Sequence, residues 1–313
     1  MSQISKVLHD QLVGDFTAIK GRADSVIANL SAKLTPAQQQ AIRDVSGRAT
    51  IGIGRFSGVT IIADAVPPPP PPPTTGNPSG IAMPVGDLAG WHQVFADDFT
   101  TPVALGNFPA SVNAKWNGTY PDGWHDTSKA GTYMPSKVIS CSGSVMNMHL
   151  HTEGGTVCVS APVPTLPTMT YGRYDICARA DTIPGYKTAW LLWPDSETWP
   201  RDGEIDFPEA GIGDTVNAYM HRQNGANGGD QDAYQGIGPA HGLASGWHVY
   251  TTIWTATSCE FQIDGHAVGR STLRIPSTPM HYVIQTETDG GTPPATSSGN
   301  VQIDWVVVYT PAG

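Results

Sequence analysis

The residues best placed to do chemistry lie in one short run, Glu204-Ile205-Asp206-Phe207-Pro208-Glu209, preceded by Trp199-Pro200-Arg201-Asp202-Gly203. The chain has only six glutamates, and two of them stand here, five positions apart with an aspartate between. In a strand, alternate side chains share a face, so Glu204 and Asp206 point the same way. Strict alternation would send Glu209 to the other face. A one-residue bulge at Phe207-Pro208 restores it, and proline suits that place because it has no N–H to give to a ladder. Three carboxylates then crowd one surface, while Ile205 and Phe207 require a buried opposite face. Like charges at this spacing repel, and the cheapest relief is for one acid to keep its proton near neutral pH. A carboxylate beside a protonated carboxyl is the equipment for cleaving glycosidic bonds with retention. The competing reading is a solvated acidic strand.

Such acids need a rigid frame, and the composition indicates its kind. The 313 residues carry a formal charge of -10; only 14% are charged, with 35 Gly, 27 Pro and 9 Trp. That profile fits a loop-rich all-β protein with aromatic ligand-facing surfaces and disfavours a helical bundle. No basic stripe is present, which argues against nucleic acid as a partner. No apolar run has the length to cross a bilayer, so no membrane partner is expected. The first residues lack the apolar core and cleavage site of a secretory signal peptide. Cys141, Cys158, Cys177 and Cys259 show no Cys-x-x-Cys spacing and are expected as free buried thiols, with one disulfide left open.

Seven consecutive prolines, Pro67 to Pro73, form a stiff spacer. They separate residues 1–66, which have no Glu, Trp or Cys, from a part holding all nine tryptophans. The expected organisation is a helical segment over 1–66, a proline-rich linker over 67–80 and a β-sandwich over 81–313. In the first part Leu12, Phe16, Ile19, Ala23, Val26 and Leu30 step at helical spacing, with Ile4 and Leu8 extending the stripe. Thr35-Pro36-Ala37-Gln38 opens a second helix, and 52–66 reads as extended. A two-helix unit, a short coiled coil that makes a homo-oligomer, and an attachment segment for a virion all fit. From Ile81 onward, alternating segments such as Ser144–Leu150, Tyr171–Arg179, Trp247–Trp254 and Val301–Tyr309 follow one another with glycine-rich turns. More than ten strands without helical patterning imply an all-β two-sheet jelly-roll sandwich.

The run Gly185-Tyr186-Lys187-Thr188-Ala189-Trp190-Leu191-Leu192-Trp193-Pro194, with Trp199-Pro200 and the acidic hexapeptide, resembles glycoside hydrolase family 16. Phe95–Phe99, Tyr171–Asp175, Gly246–Tyr250, Ile263-Asp264-Gly265 and Val301–Tyr309 continue the likeness in order over about 91–311. The inserted residue of Glu-x-Asp-x-x-Glu is similar to the laminarinase and agarase side of that family. The resemblance implies an endo-glycosidase acting with retention on a β-linked polysaccharide, a β-1,3-glucan or a galactan. It implies Glu204 as nucleophile, Glu209 as acid/base and Asp206 as the group that orients Glu204 and shares its proton. Trp199 is expected to stack on sugar, Trp190 and Trp193 to line the cleft, and His221 to sit beside the acid/base. Arg201 and Gln285 are expected to bind hydroxyls. No cofactor is implied for catalysis; a structural calcium on the convex face is implied at Asp304. Two other readings stand beside this one, a non-catalytic carbohydrate-binding module and a structural attachment protein. Extracellular action without a signal peptide, on a helical stalk and a proline spacer, points to a depolymerase in a phage tail.

Overall fold

Alternating apolar and polar positions, broken every few residues by glycine turns, drive the chain into strands. The computed structural model describes residues 3–5, 60–62, 77–226 and 230–312. The chain divides into two units, Met1–Pro70 and Pro71–Gly313. In the first, β1 (Gln3–Ser5) pairs in parallel with β2 (Thr60–Ile62). Ile4 is therefore in a strand rather than on a helical stripe. The stripe over 8–30, the second helix and the seven prolines lie outside the described residues.

The second unit runs β3 (Trp91–Asp97), β4 (Thr132–Tyr133), β5 (Ile139–Ser142), β6 (Val145–Glu153), β7 (Thr156–Val159) and β8 (Gly172–Ala180). It continues through β9 (Tyr186–Pro194), β10 (Glu204–Gly211), β11 (Val216–His221), β12 (Gln231–Ile237) and β13 (His248–Trp254). β14 (Cys259–Ile263), β15 (His266–Ser271), β16 (Met280–Thr288) and β17 (Gly299–Pro311) complete it. Five strands form one sheet in the order β12-β11-β10-β9-β16, and ten form the other, with β8 and β17 at its centre. The jump from β9 to β16 and the long return to β17 give a two-sheet jelly-roll sandwich, as the strand pattern predicts.

The inward faces share one apolar core. Trp190, Phe207, Tyr250, Trp254 and Phe261 are buried in it, and Phe207 packs its ring 5.3 Å from Phe261 and 5.8 Å from Tyr250 of the opposite sheet. Buried aromatic pairs of this kind contribute beyond their area. A second cluster on the outer side of the large sheet joins Cys177, Trp305, Val307 and Tyr309 to Ile81 and Met83. Trp305 donates its indole N–H to the Ile81 carbonyl at 2.8 Å, and the Ser79 N–H is bonded to Asp304. Residues of the expected linker, Ser79 among them, thus bond to the sandwich. All four cysteines are free and buried.

Candidate active site

The acids sit on β10, the middle strand of the five-stranded sheet. Asp206 pairs with Leu191 of β9 and Tyr219 of β11, while Glu209 pairs with Ala189 and Asn217. Three steps along β10 therefore match two on each neighbour, which places the extra residue at Phe207-Pro208. Both of those residues are buried. The bulge returns Glu209 to the face of Glu204 and Asp206, as required for a common cleft.

That face floors an open cleft of about 560 Å³, lined by Glu204, Asp206 and Glu209 with His221 of β11 and Gln285 of β16. His221 Nε2 lies 3.3 Å from Asp206 Oδ2 and 3.8 Å from Glu204 Oε2. Asp206 is 3% exposed, and its Oδ2 has no hydrogen-bond donor among the described residues. Burial first, then the charge of Asp206, pushes the Glu204 carboxyl up to about 9. Burial and the charge of Glu209 push Asp206 well above its usual range. Two buried acids that both resist ionising hold one proton between them. Asp206, the more buried and the less solvated, is the better place for that proton, which leaves Glu204 ionised beside His221. The Glu204, Asp206 and His221 ligand atoms lie within 4.8 Å of one another and could also hold a cation, as could His151, Glu153 and Cys158 on the β6–β7 hairpin, outside the cleft lining.

The other expected site residues divide by strand parity. Trp193, Leu191, Ala189 and Lys187 share the cleft face of β9. Trp193 donates its indole N–H to Glu197 at 2.8 Å. Trp190 is three residues from Trp193, so it must face the other way; it is wholly buried between the sheets, edge-on to Tyr250 at 6.1 Å. Its expected place in the cleft is corrected. We expect Trp190→Ala to cost about 3–5 kcal/mol of unfolding free energy, read from denaturant melts, with KM of the folded enzyme unchanged. Trp199 is 37% exposed at the cleft rim, with its ring edge-on to His221 at 5.9 Å. Gln285 lines the floor opposite Ala189.

Three further placements differ from expectation. His221 stands across from Glu204 rather than beside Glu209, which instead faces Asn217, because the antiparallel register sets those partners. Arg201 is not in the cleft lining; its guanidinium is forked onto Asp202, with Nε 2.8 Å from Oδ1. Asp304 lies at the irregularity in β17, where its buried Oδ2 accepts the Ser79 N–H at 3.0 Å. Burial pushes this carboxyl up. Calcium takes six to eight oxygens, and one carboxylate already bonded to an N–H does not fit that need.

Sequence reasoning did not single out Lys187, Glu287, Tyr120, Trp124 or Glu197, all of which line the cleft. Lys187 Nζ lies 3.1 Å from both Glu209 Oε1 and Glu287 Oε1. Tyr120 packs 5.7 Å from Trp124 and 5.5 Å from Tyr133, forming an aromatic wall. A lysine at the start of a largely apolar strand, on the parity of Trp193, was a usable signal. The wall, contributed by β4 and the loops before it, left none.

Comparison with known proteins agrees with this fold. The fold is similar to that of the laminarinase from Rhodothermus marinus, with 24% identity, a TM-score of 0.58, and coverage of 71% of this chain and 98% of that one. It is similar to SCLam, a non-specific endo-β-1,3(4)-glucanase, at 19% identity and TM-score 0.59, covering 77% and 97%. LamAcat from Zobellia galactanivorans matches at 20% identity and TM-score 0.54, covering 70% and 97%. No curated protein matches the chain. The model of glycosyl hydrolases family 16 matches residues 126–307, the stretch that builds the five-stranded sheet, most of the other and all three acids, and the chain belongs to that family of glycoside hydrolases.

Proposed function

We propose that the chain is an endo-glycosidase that hydrolyses a neutral β-linked polysaccharide with retention, a β-1,3-glucan ahead of a galactan. The observation that carries the reading is the bulged β10, which sets Glu204, Asp206 and Glu209 on one cleft face with a proton-sharing pair at one end. Glu204 attacks the anomeric carbon as Glu209 protonates the departing oxygen, so a glycosyl-Glu204 bond forms as the glycosidic bond breaks. Glu209 then takes a proton from water, whose oxygen displaces Glu204 from the same carbon. Asp206 and His221 hold Glu204 in place through both steps. Trp199 offers its face to a sugar beside the cleavage point.

Charge supports a neutral substrate. The cleft lining carries six carboxylates (Asp126, Glu197, Glu204, Asp206, Glu209 and Glu287) and a single lysine, which is already paired to two of them. A sulfated or uronic-acid chain would meet repulsion with no free lysine or arginine among the described lining residues to offset it. The neighbours named as laminarinases and the bulged acid motif support β-1,3 linkage. A panel of neutral and anionic polysaccharides, with products sized and linkage-mapped, tests this. Release of oligosaccharides from a neutral β-glucan is expected. Activity confined to sulfated galactans, or no activity on any member, would overturn the reading.

The proline spacer between two parts of unlike composition supports a role as a virion-borne depolymerase, with residues 1–66 as its oligomeric or virion attachment. The protein should then be present at fixed stoichiometry in purified particles, and its absence from them would sink that role.

A further inference from the structure

The cleft contains one cation that the double-displacement scheme does not use. Lys187 is part-buried on β9, its Nζ midway between Glu209 and Glu287 at 3.1 Å from each. Its backbone pairs with Gly211 of β10 and with Glu287 of β16, so it lies beside the far end of the acid row. Glu287 is 2% exposed, and its second oxygen has no donor among the described residues. A buried carboxylate of this kind is retained only when a cation compensates it. A cation next to a general acid is otherwise a poor choice, since it favours the carboxylate form that cannot donate.

We propose that Lys187 is a positioning residue that serves Glu209 in both of its protonation states, with Glu287 as the counter-anion that makes this tolerable. When Glu209 carries its proton, Lys187 and Glu287 form a closed neutral pair, and the acid is left free to donate. Once that proton has gone to the leaving oxygen, the same ammonium bonds to the new Glu209 carboxylate and holds it toward the incoming water. The proton taken from water returns the triad to its first state. Lys187 is thereby fully engaged and offers no free charge to substrate. This inference rests on the reading of Glu209 as acid/base.

Among the described lining residues there is no second lysine or arginine. Asp206 faces the triad from β10, Asp126 and Tyr133 face Glu287 from the segments before β5, and Asp214 and Asp289 lie beyond Gly211. His125 and His221 are the other lining groups able to gain positive charge.

The test is the pH profile of kcat/KM on the soluble β-glucan that the wild type hydrolyses, because its basic limb reports the ionisation of the general acid. Glu287→Gln leaves Lys187 wholly to Glu209 and should move the basic limb down by about one pH unit. Lys187→Met should move it up by about one unit. The paired change Lys187→Met with Glu287→Gln removes both charges without stranding either, keeps the melting temperature near that of wild type, and should place the limb above that of Glu287→Gln alone. Opposite shifts support the proposal. Limbs that stay fixed, or that move in one direction for both single variants, overturn it even where kcat falls. Failure of the underlying reading is separately visible: Glu209→Gln would then lose activity equally on poor and good leaving groups.

Discussion

Glu204→Gln lowers kcat on the susceptible polysaccharide by roughly 10^4-fold or more, the scale for removing a covalent nucleophile, and yet makes the protein more stable. Activity falls because the amide oxygen cannot form the glycosyl-enzyme. Stability rises because burial and mutual repulsion make the native Glu204–Asp206 pair keep a proton that the unfolded chain releases. The sign follows from linkage. Below the ordinary glutamate range, about 4.3, folded and unfolded chains both carry the proton. As pH rises toward 9 the unfolded chain releases it and the native site resists, so the native state loses stability across that window. Gln removes the penalty. The variant should melt about 2–8 °C above wild type at pH 8, or about 1–2 kcal/mol, with the gain fading as the pH approaches 4.5. Calorimetry at both pH values checks it. A variant that melts below wild type at pH 8 would show that the Glu204–Asp206 pair carries no such penalty.

Glu209→Gln has a different signature. On the polysaccharide, whose leaving alcohol needs a proton, kcat/KM should fall by about 10^2–10^4-fold, the usual contribution of a general acid. On an aryl glycoside with a strongly acidic phenol, bond breaking needs no proton, so the first step should be nearly spared. The second step still lacks its base, and phenol should appear in a burst matching the enzyme concentration, followed by a slow phase. Stopped-flow absorbance reads both phases. Equal loss on both substrates with no burst would assign Glu209 a structural role.

The parts of the fold and site that were legible in the sequence are those governed by local periodicity. Alternation in β10 set the face of Glu204 and Asp206, and proline at 208 marked the bulge that the registers with β9 and β11 display. The same rule applied to β9 would have separated Trp190 from Trp193, because three steps along a strand reverse the face, and would have put Lys187 in the cleft with Trp193. Glu287 follows Gln285 by two positions and was open to the same argument. What periodicity cannot give is long-range. The Tyr120–Trp124 wall reaches the acids from loops more than seventy residues upstream. The position of His221 depends on a cross-strand register, and Arg201 was claimed by its own neighbour Asp202, a contact that the residue types alone leave undecided.

The central claim is that Glu204 forms a covalent bond to sugar, and the anomeric form of the first product tests it most directly. Proton NMR recorded within the first turnovers of a β-linked oligosaccharide, before mutarotation, should show the β-anomer at the newly formed reducing end. Initial release of the α-anomer would mean a single displacement by water and would contradict the assignment of Glu204 as nucleophile.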